Sequence, residues 1–298
     1  MSMTTHNYLM FDKFQNRLEI TGKLTTITAL RIGVGGFSDV KSSDLSVIKD
    51  AFNNPIIPGS SFKGAMRSRL ESFLRGINPS LAEDPANFTS SAMNNYVKGL
   101  KEKHKDDDLE LTQKLVKITD LTSLLFGSPW IASKFQVRDL TIVPDTWFGQ
   151  YQERDGVAID RDTETAAEGK LYDFQVVPAG TRFEFKAVVE NAEDYELGLL
   201  MVGLHQFETE QIPLGGGRSR GLGVVKLEIE KMRWFNVEND PNKLLTYLKE
   251  LVNSETGDNI PSYQDVNNEL KKEWTDALIK KLGENIANSP TTEATQNS

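Results

Sequence analysis

The sequence predicts an α+β fold. Three observations carry that reading: apolar and polar residues alternate in four separate stretches, two further stretches space their apolar residues as helices do, and the order runs strand, helix, strand, strand, helix, strand. That order belongs to a ferredoxin-like or RNA-recognition-type sandwich.

The first strand is RLEITGKLTTI, which alternates from Arg17 to Ile27 before the chain runs into glycines at 33, 35 and 36. A strand followed by a loop is expected there. PIIPGSSFKGAMRSRLESFL follows, with Phe62, Met66, Leu70 and Phe73 at helical spacing and Ser60 or Ser61 available as an N-cap after a Pro-Gly turn. Residues 76–127 form a polar helical insertion, in which KEKHKDDDLELTQKL predicts a solvated helix and leaves His104 in solvent. FQVRDLTIV alternates from Phe135 to Val143 as the second strand, and a charged segment from Pro144 to Gly169 predicts a projecting loop or hairpin. TRFEFKAVVE is the third strand. Leu197, Leu200, Met201, Leu204 and Phe207 mark the second core helix, with His205 as a structural histidine, and LGVVKLEIEKM is the last strand. Residues 242–284 read as helical and 285–298 as a disordered polar tail.

Composition narrows the function classes. The 298 residues are 38% apolar and 26% charged, enough for a packed core and too balanced for a wholly disordered chain. With no cysteine, disulfides, thiolate zinc sites, iron–sulfur clusters and a cysteine nucleophile are excluded. The three histidines, His6, His104 and His205, lack metal-ligand spacing, so a metal has to rest on carboxylates. No apolar run approaches the ~18 residues needed to cross a bilayer, and a cytoplasmic protein without membrane association is expected. The net charge is −9, yet residues 1–75 hold 10 basic and 6 acidic side chains. Phosphate contacts act within about a Debye length, so this local excess keeps a polyanionic ligand open despite the acidic total.

Three segments carry chemistry. GGGRSRGLG, residues 215–223, sets Arg218 and Arg220 among glycines; it lacks the P-loop pattern, and phosphate contact stands beside an ordinary flexible turn. In GSSFKGAMRSR, Lys63 and Arg67 share one helix face behind the positive end of a helix dipole, which suits an anion as well as a solvated basic face. GVGGFSDVKSSDLSVIKD carries Asp39, Asp44 and Asp50, which either hold a metal or stabilise turns. Among the tryptophans, Trp147 is the one that fits base stacking.

Taken together, LRIGVGG, DLSVIKD, PIIPGSSFKGAMRSRLE, LLFG, FQVRDLTI, GVAIDRDTETAAEGKLYDFQVVPAGTRFEF and PLGGGRSRGLGVVKLE resemble the RAMP superfamily, and within it the repeated backbone subunit of type III CRISPR effector complexes. The resemblance covers roughly residues 15–233. It implies an RRM-like palm with a thumb-like hairpin at 144–170 and stacking of such subunits along a guide RNA, while the insertion at 76–120 and a helical C-terminal extension at 234–284 depart from the compact family pattern. It implies that Asp44 serves metal-dependent cleavage of complementary target RNA, with Mg²⁺ or another divalent ion, Asp39 being the substitute position. By the same carry-over, Arg31, Ser60, Ser61, Lys63, Arg67, Arg218, Ser219 and Arg220 contact RNA. The implied partners are guide RNA, target RNA, further RAMP backbone subunits, small subunits and a large polymerase/cyclase-like subunit. A catalytically inactive guide-holding scaffold and a guide-precursor processing endonuclease are the alternatives.

Overall fold

The protein is described from a computed structural model covering residues 11–33, 46–159, 166–254 and 260–287. Its main sheet contains five antiparallel strands in the order β2-β5-β1-β6-β7. These are β1 (Asn16–Thr26), β2 (Phe135–Val137), β5 (Arg182–Glu190), β6 (Val225–Asn236) and β7 (Gln264–Asp265). β1 and β2 run the same way with β5 antiparallel between them, an arrangement that needs a helical crossover. That crossover contains α1 (Gly59–Ile77), and α6 (Asp194–Glu208) links β5 to β6. The result is a mixed α+β architecture consistent with an RRM-like fold.

Alternation in β1 puts Leu18, Ile20 and Leu24 on the covered face, where Phe183, Phe185 and Val189 of β5 join them. Both crossover helices pack there. The Phe62 ring of α1 stacks on Phe207 of α6 at 4.2 Å between centroids and meets Phe185 of β5 at 4.9 Å. Emptying this fully buried position with Phe62→Ala removes about 3–5 kcal/mol. Gly203 keeps the helices close, since a Cβ there would lie 2.8 Å from Met66 Sδ. Of the predicted helical stripe, Leu74 rather than Phe73 completes the core, and Phe73 is 40% exposed beneath Arg69.

Between α1 and β2 come α2 (Pro85–Phe88), α3 (Ser91–Lys103), α4 (Asp108–Lys117) and α5 (Leu121–Phe126). The charged stretch predicted as one solvated helix is divided between α3 and α4. Asp107 accepts the Glu110 amide at 2.8 Å and starts a new helix at 108. His104 is correspondingly buried, with Nδ1 3.2 Å from the Glu110 carboxylate, instead of solvated. Val97, Leu115, Val116 and Ile131 form a separate small core for this region.

β2 is shorter than its alternation predicts because Asp139 leaves the sheet edge to bond α1, while Leu140 and Ile142 make only single bridges, to Ile57 and Phe183. Lys134, just before β2, meets Glu196 of α6 at 2.6 and 2.9 Å; both are buried. Burial pushes the Glu196 carboxyl up from its ordinary range, and the Lys134 charge pulls against that.

β3 (Gln152–Ile159) and β4 (Ala166–Val176) form a separate antiparallel hairpin. At its base, Phe174 and Val176 pack with Ala29 and Leu222, and Leu30 bridges Val177. After β6, α7 (Pro241–Asn253) stacks Tyr247 on Phe235, and α8 (Asn268–Ala287) lies on α6. Gly198 permits that contact, its Cβ position being 2.2 Å from the Trp274 carbonyl. Of the expected tail at 285–298, Asn285–Ala287 belong to α8, and 288–298 lie outside the described residues. Among the described residues no helix is long and apolar enough to cross a membrane.

Candidate nucleic-acid interface

The glycine-rich loop between α6 and β6 is pinned rather than loose. Leu214 donates to the Gly223 carbonyl at 2.8 Å, Gly223 to Ala29 at 2.9 Å, and Gly216 to Arg31 at 2.9 Å. Within it Arg218–Arg220 make one 3₁₀ turn between left-handed Gly217 and Gly221, and buried Leu222 anchors the exit. Gly215 is required twice over, by a φ of +73° and because a Cβ would lie 2.1 Å from the Arg31 carbonyl oxygen. Arg218, Ser219 and Arg220 are thereby held exposed on a fixed turn, with Arg218 Nε donating to the Gly215 carbonyl at 3.1 Å.

Arg31 lies against this loop through its backbone. Its half-buried guanidinium sits 5.2 Å above the Phe174 ring at the hairpin base, and its Nε is buried with no hydrogen-bond partner among the described residues. A buried donor left unpaired costs about 1–3 kcal/mol, so an acceptor arriving there is favoured. Next in the chain, Gly33 bridges Val47 and the Ile48 amide bonds Ile32 at 2.9 Å. Asp39 and Asp44, on the segment joining them, lie outside the described residues. Asp50 does turn chemistry, as it accepts the amides of Asn54 at 2.8 Å and Phe52 at 2.9 Å. Desolvation would raise its pKa, but these bonds outweigh it and hold the carboxyl below its usual value.

The ladder continues from Ile48 to Ile56 at 3.3 Å and from Ile57 to Leu140, and so reaches the start of α1. Here the serine N-cap expected from sequence is corrected. The N-cap is Pro58 without a side-chain cap, and Ser60 and Ser61 are already helical. Asp139 does the capping, accepting the Gly59 amide at 2.9 Å from 80 residues away. A Cβ at Gly59 would lie 2.3 Å from the Val137 carbonyl, so only glycine allows this junction.

Lys63 and Arg67 engage the segment 123–133. Lys63 Nζ donates to Ser133 Oγ at 2.6 Å, and burial together with the nearby Arg67 charge lowers its pKa to about 8. Arg67 bonds Glu71 at 2.7 Å, the Gly127 carbonyl at 2.8 Å and Ser123 at 2.9 Å. The structure thus brings Arg31 and the 218–220 turn together, links them by backbone to Ser60 and Ser61, and gives Lys63 and Arg67 protein partners. Sequence reasoning misses Asp139 and Phe174, whose partners lie too far along the chain for local patterns to reveal.

The open face of the sheet is a different surface. Arg17 pairs with Glu190 and Glu19, Arg233 with Glu19, and Lys23 with Glu230, while Tyr263 donates to Glu19 at 3.1 Å. These cations are already paired with carboxylates. Trp147 is half-buried, packed against the core and edge-on to Tyr151 at 4.9 Å. Among the described residues no three histidine, aspartate or glutamate side chains gather as a metal site.

The profile of the RAMP superfamily matches residues 23–226, from within β1 to the start of β6. The chain is a member of the RAMP superfamily. Similar RAMP proteins include the "CRISPR system Cms endoribonuclease Csm3" of Enterococcus italicus, 26% identical over 221 residues, which cover 73% of this chain and 92% of that protein. The protein of the same name from Methanocaldococcus jannaschii is 24% identical over 280 residues, covering 86% and 96%. That of Mycobacterium tuberculosis is 46% identical over a local stretch of 56 residues, covering 18% of this chain and 24% of that protein. The glycine loop and Arg31, side by side in space, fall inside the RAMP match, whereas α7 and α8 fall outside it.

Proposed function

We propose that this chain is a guide-RNA-binding backbone subunit of a type III CRISPR interference complex, and that it cleaves complementary target RNA through Asp44. The similarity to endoribonucleases named Csm3 across nearly their whole length is the observation that supports this most. In this reading residues 15–233 are a ferredoxin-like, RRM-like palm, with 76–127 as its helical insertion, 144–170 as the thumb, and 234–284 as an added helical extension. The fixed turn of Arg218, Ser219 and Arg220, together with Arg31, holds guide phosphates; Ser60 and Ser61 offer hydroxyls at the positive end of α1. Lys63 and Arg67 complete the path. Contacts of this kind are salt-dependent and indifferent to sequence, as a subunit serving many guides requires.

Cleavage follows from RNA chemistry. The 2′-hydroxyl beside the scissile phosphate loses its proton and attacks phosphorus; the bond to the 5′-oxygen breaks, leaving a 2′,3′-cyclic phosphate and a 5′-hydroxyl once that oxygen takes up a proton. Asp44 either accepts the first proton or holds Mg²⁺, and one hard carboxylate with substrate phosphates is a donor set that Mg²⁺ favours. Bound there, the ion supplies positive charge to the phosphoryl oxygens. The partners are guide and target RNA, further RAMP backbone subunits, small subunits and a large polymerase/cyclase-like subunit, in the cytoplasm. The test is cleavage of labelled guide-complementary RNA by the assembled complex. Discrete cuts that need Mg²⁺ and disappear with Asp44→Ala support the reading; cuts indifferent to Asp44 leave this chain an RNA-holding scaffold.

A further inference from the structure

We infer that Phe52 and Phe148 form an aromatic station that stacks on unpaired nucleobases of the RNA strand lying against the Arg31 and glycine-loop surface. Phe52 is 86% exposed and Phe148 is 91% exposed. Neither exposure comes from a loose segment. Phe52 tips a turn tied off by Asp50, which accepts the Phe52 and Asn54 amides, and Asn53 next to it takes a φ of +67°. Phe148 follows Trp147, whose ring packs on Tyr151. Tyr151 then joins the two segments, donating to the Asn53 carbonyl at 2.8 Å, while Lys49 Nζ sits 4.2 Å above its ring. Each phenylalanine is therefore one residue from a side chain or carbonyl that binds these segments together.

The occupant is argued from three features. The turn bearing Phe52 is the end of the Ile32–Ile48–Ile56 ladder, whose opposite edge is bonded through Arg31 to the glycine loop, so this turn and the proposed phosphate-holding residues share one backbone network. In sequence the rings follow Ala51 and Trp147 and precede Asn53, Asn54, Gly149 and Gln150, so each has polar or small residues on its C-terminal side. Lys49 brings a positive charge to the same mount, beside the Asp50 carboxylate that ties the Phe52 turn. Rings on rigid mounts next to cations are how single-stranded RNA is held without sequence preference.

This inference rests on the RNA-binding reading, and the test separates the two. Full-length wild type, Phe52→Ala, Phe148→Ala and Phe148→Trp are titrated with a labelled single-stranded RNA across a salt series, and their self-association is followed by sedimentation. Each alanine lowers affinity about tenfold with the salt slope unchanged, because a stacked base and not a phosphate is released, and Phe148→Trp retains wild-type affinity. Wild-type affinity in both alanine variants overturns the station and leaves the RNA reading standing. Alanine variants that change self-association alone overturn it in favour of a protein contact. Wild type without RNA affinity overturns both.

Discussion

Adjacent glycines in the 215–223 loop make opposite predictions. At Gly215 an alanine Cβ would lie 2.1 Å from the Arg31 carbonyl oxygen, about 1.3 Å inside the 3.4 Å at which ordinary contact begins, and the backbone there is left-handed. At Gly216 nothing lies within 4 Å of a Cβ, and an alanine amide can still donate to Arg31. Gly215→Ala incurs about 1–2 kcal/mol for the left-handed conformation, and relieving the clash breaks the Gly216–Arg31 bond, about 1 kcal/mol more. The expected destabilisation is about 2–3 kcal/mol, against roughly 0.5 kcal/mol or less for Gly216→Ala. Urea unfolding of the two variants measures this. Because the Gly215 carbonyl also takes the Arg218 Nε bond, Gly215→Ala is expected to weaken RNA binding and to flatten its salt dependence, by about 0.7 in slope for every phosphate the displaced turn no longer neutralises. Equal stability and equal RNA affinity in the two variants would refute the pinned-loop reasoning.

Three further outcomes are expected. Lys63, with its folded pKa lowered to about 8 from 10.5, is protonated less readily than in the unfolded chain, so its contribution makes stability rise with pH between those values. RNA affinity runs the other way, falling above about pH 8 as the ammonium is lost; Lys63→Arg keeps it level, and titrations at pH 7 and pH 9 check this. Glu196→Ala leaves Lys134 buried and unpaired and costs about 3–5 kcal/mol by denaturant unfolding, whereas replacing both residues with apolar ones of similar size recovers most of it. Asp139→Ala removes the only side-chain cap on α1 among the described residues and costs about 1 kcal/mol, while Asp139→Asn keeps most of it, as thermal melts resolve.

What the sequence discloses follows the reach of each interaction. Alternation in RLEITGKLTTI and the spacing of Leu197, Leu200, Met201, Leu204 and Phe207 are local signals, and the elements they predict have their apolar residues on the buried side. The cap on α1 is not legible because Asp139 is 80 residues from Gly59, and two serines at the helix start imitate a local cap. His104 misleads for a related reason: its chain neighbours are charged, while the packing that buries it comes from α3 and α4 folding back on each other. At the candidate site, the glycines and arginines of 215–223 are visible as composition, but not the Arg31 carbonyl that converts a flexible turn into a fixed one. The i,i+4 spacing of Lys63 and Arg67 is equally plain; that Ser133, Ser123 and Gly127 engage them depends on how α5 packs.

The most direct test of the central claim is target cleavage by the assembled complex carrying Asp44→Ala, set beside Asp39→Ala and wild type, with target binding measured in parallel. Loss of the regular cuts with Asp44→Ala alone, at unchanged target binding, is the predicted result. A full cleavage ladder from the Asp44→Ala complex would contradict it.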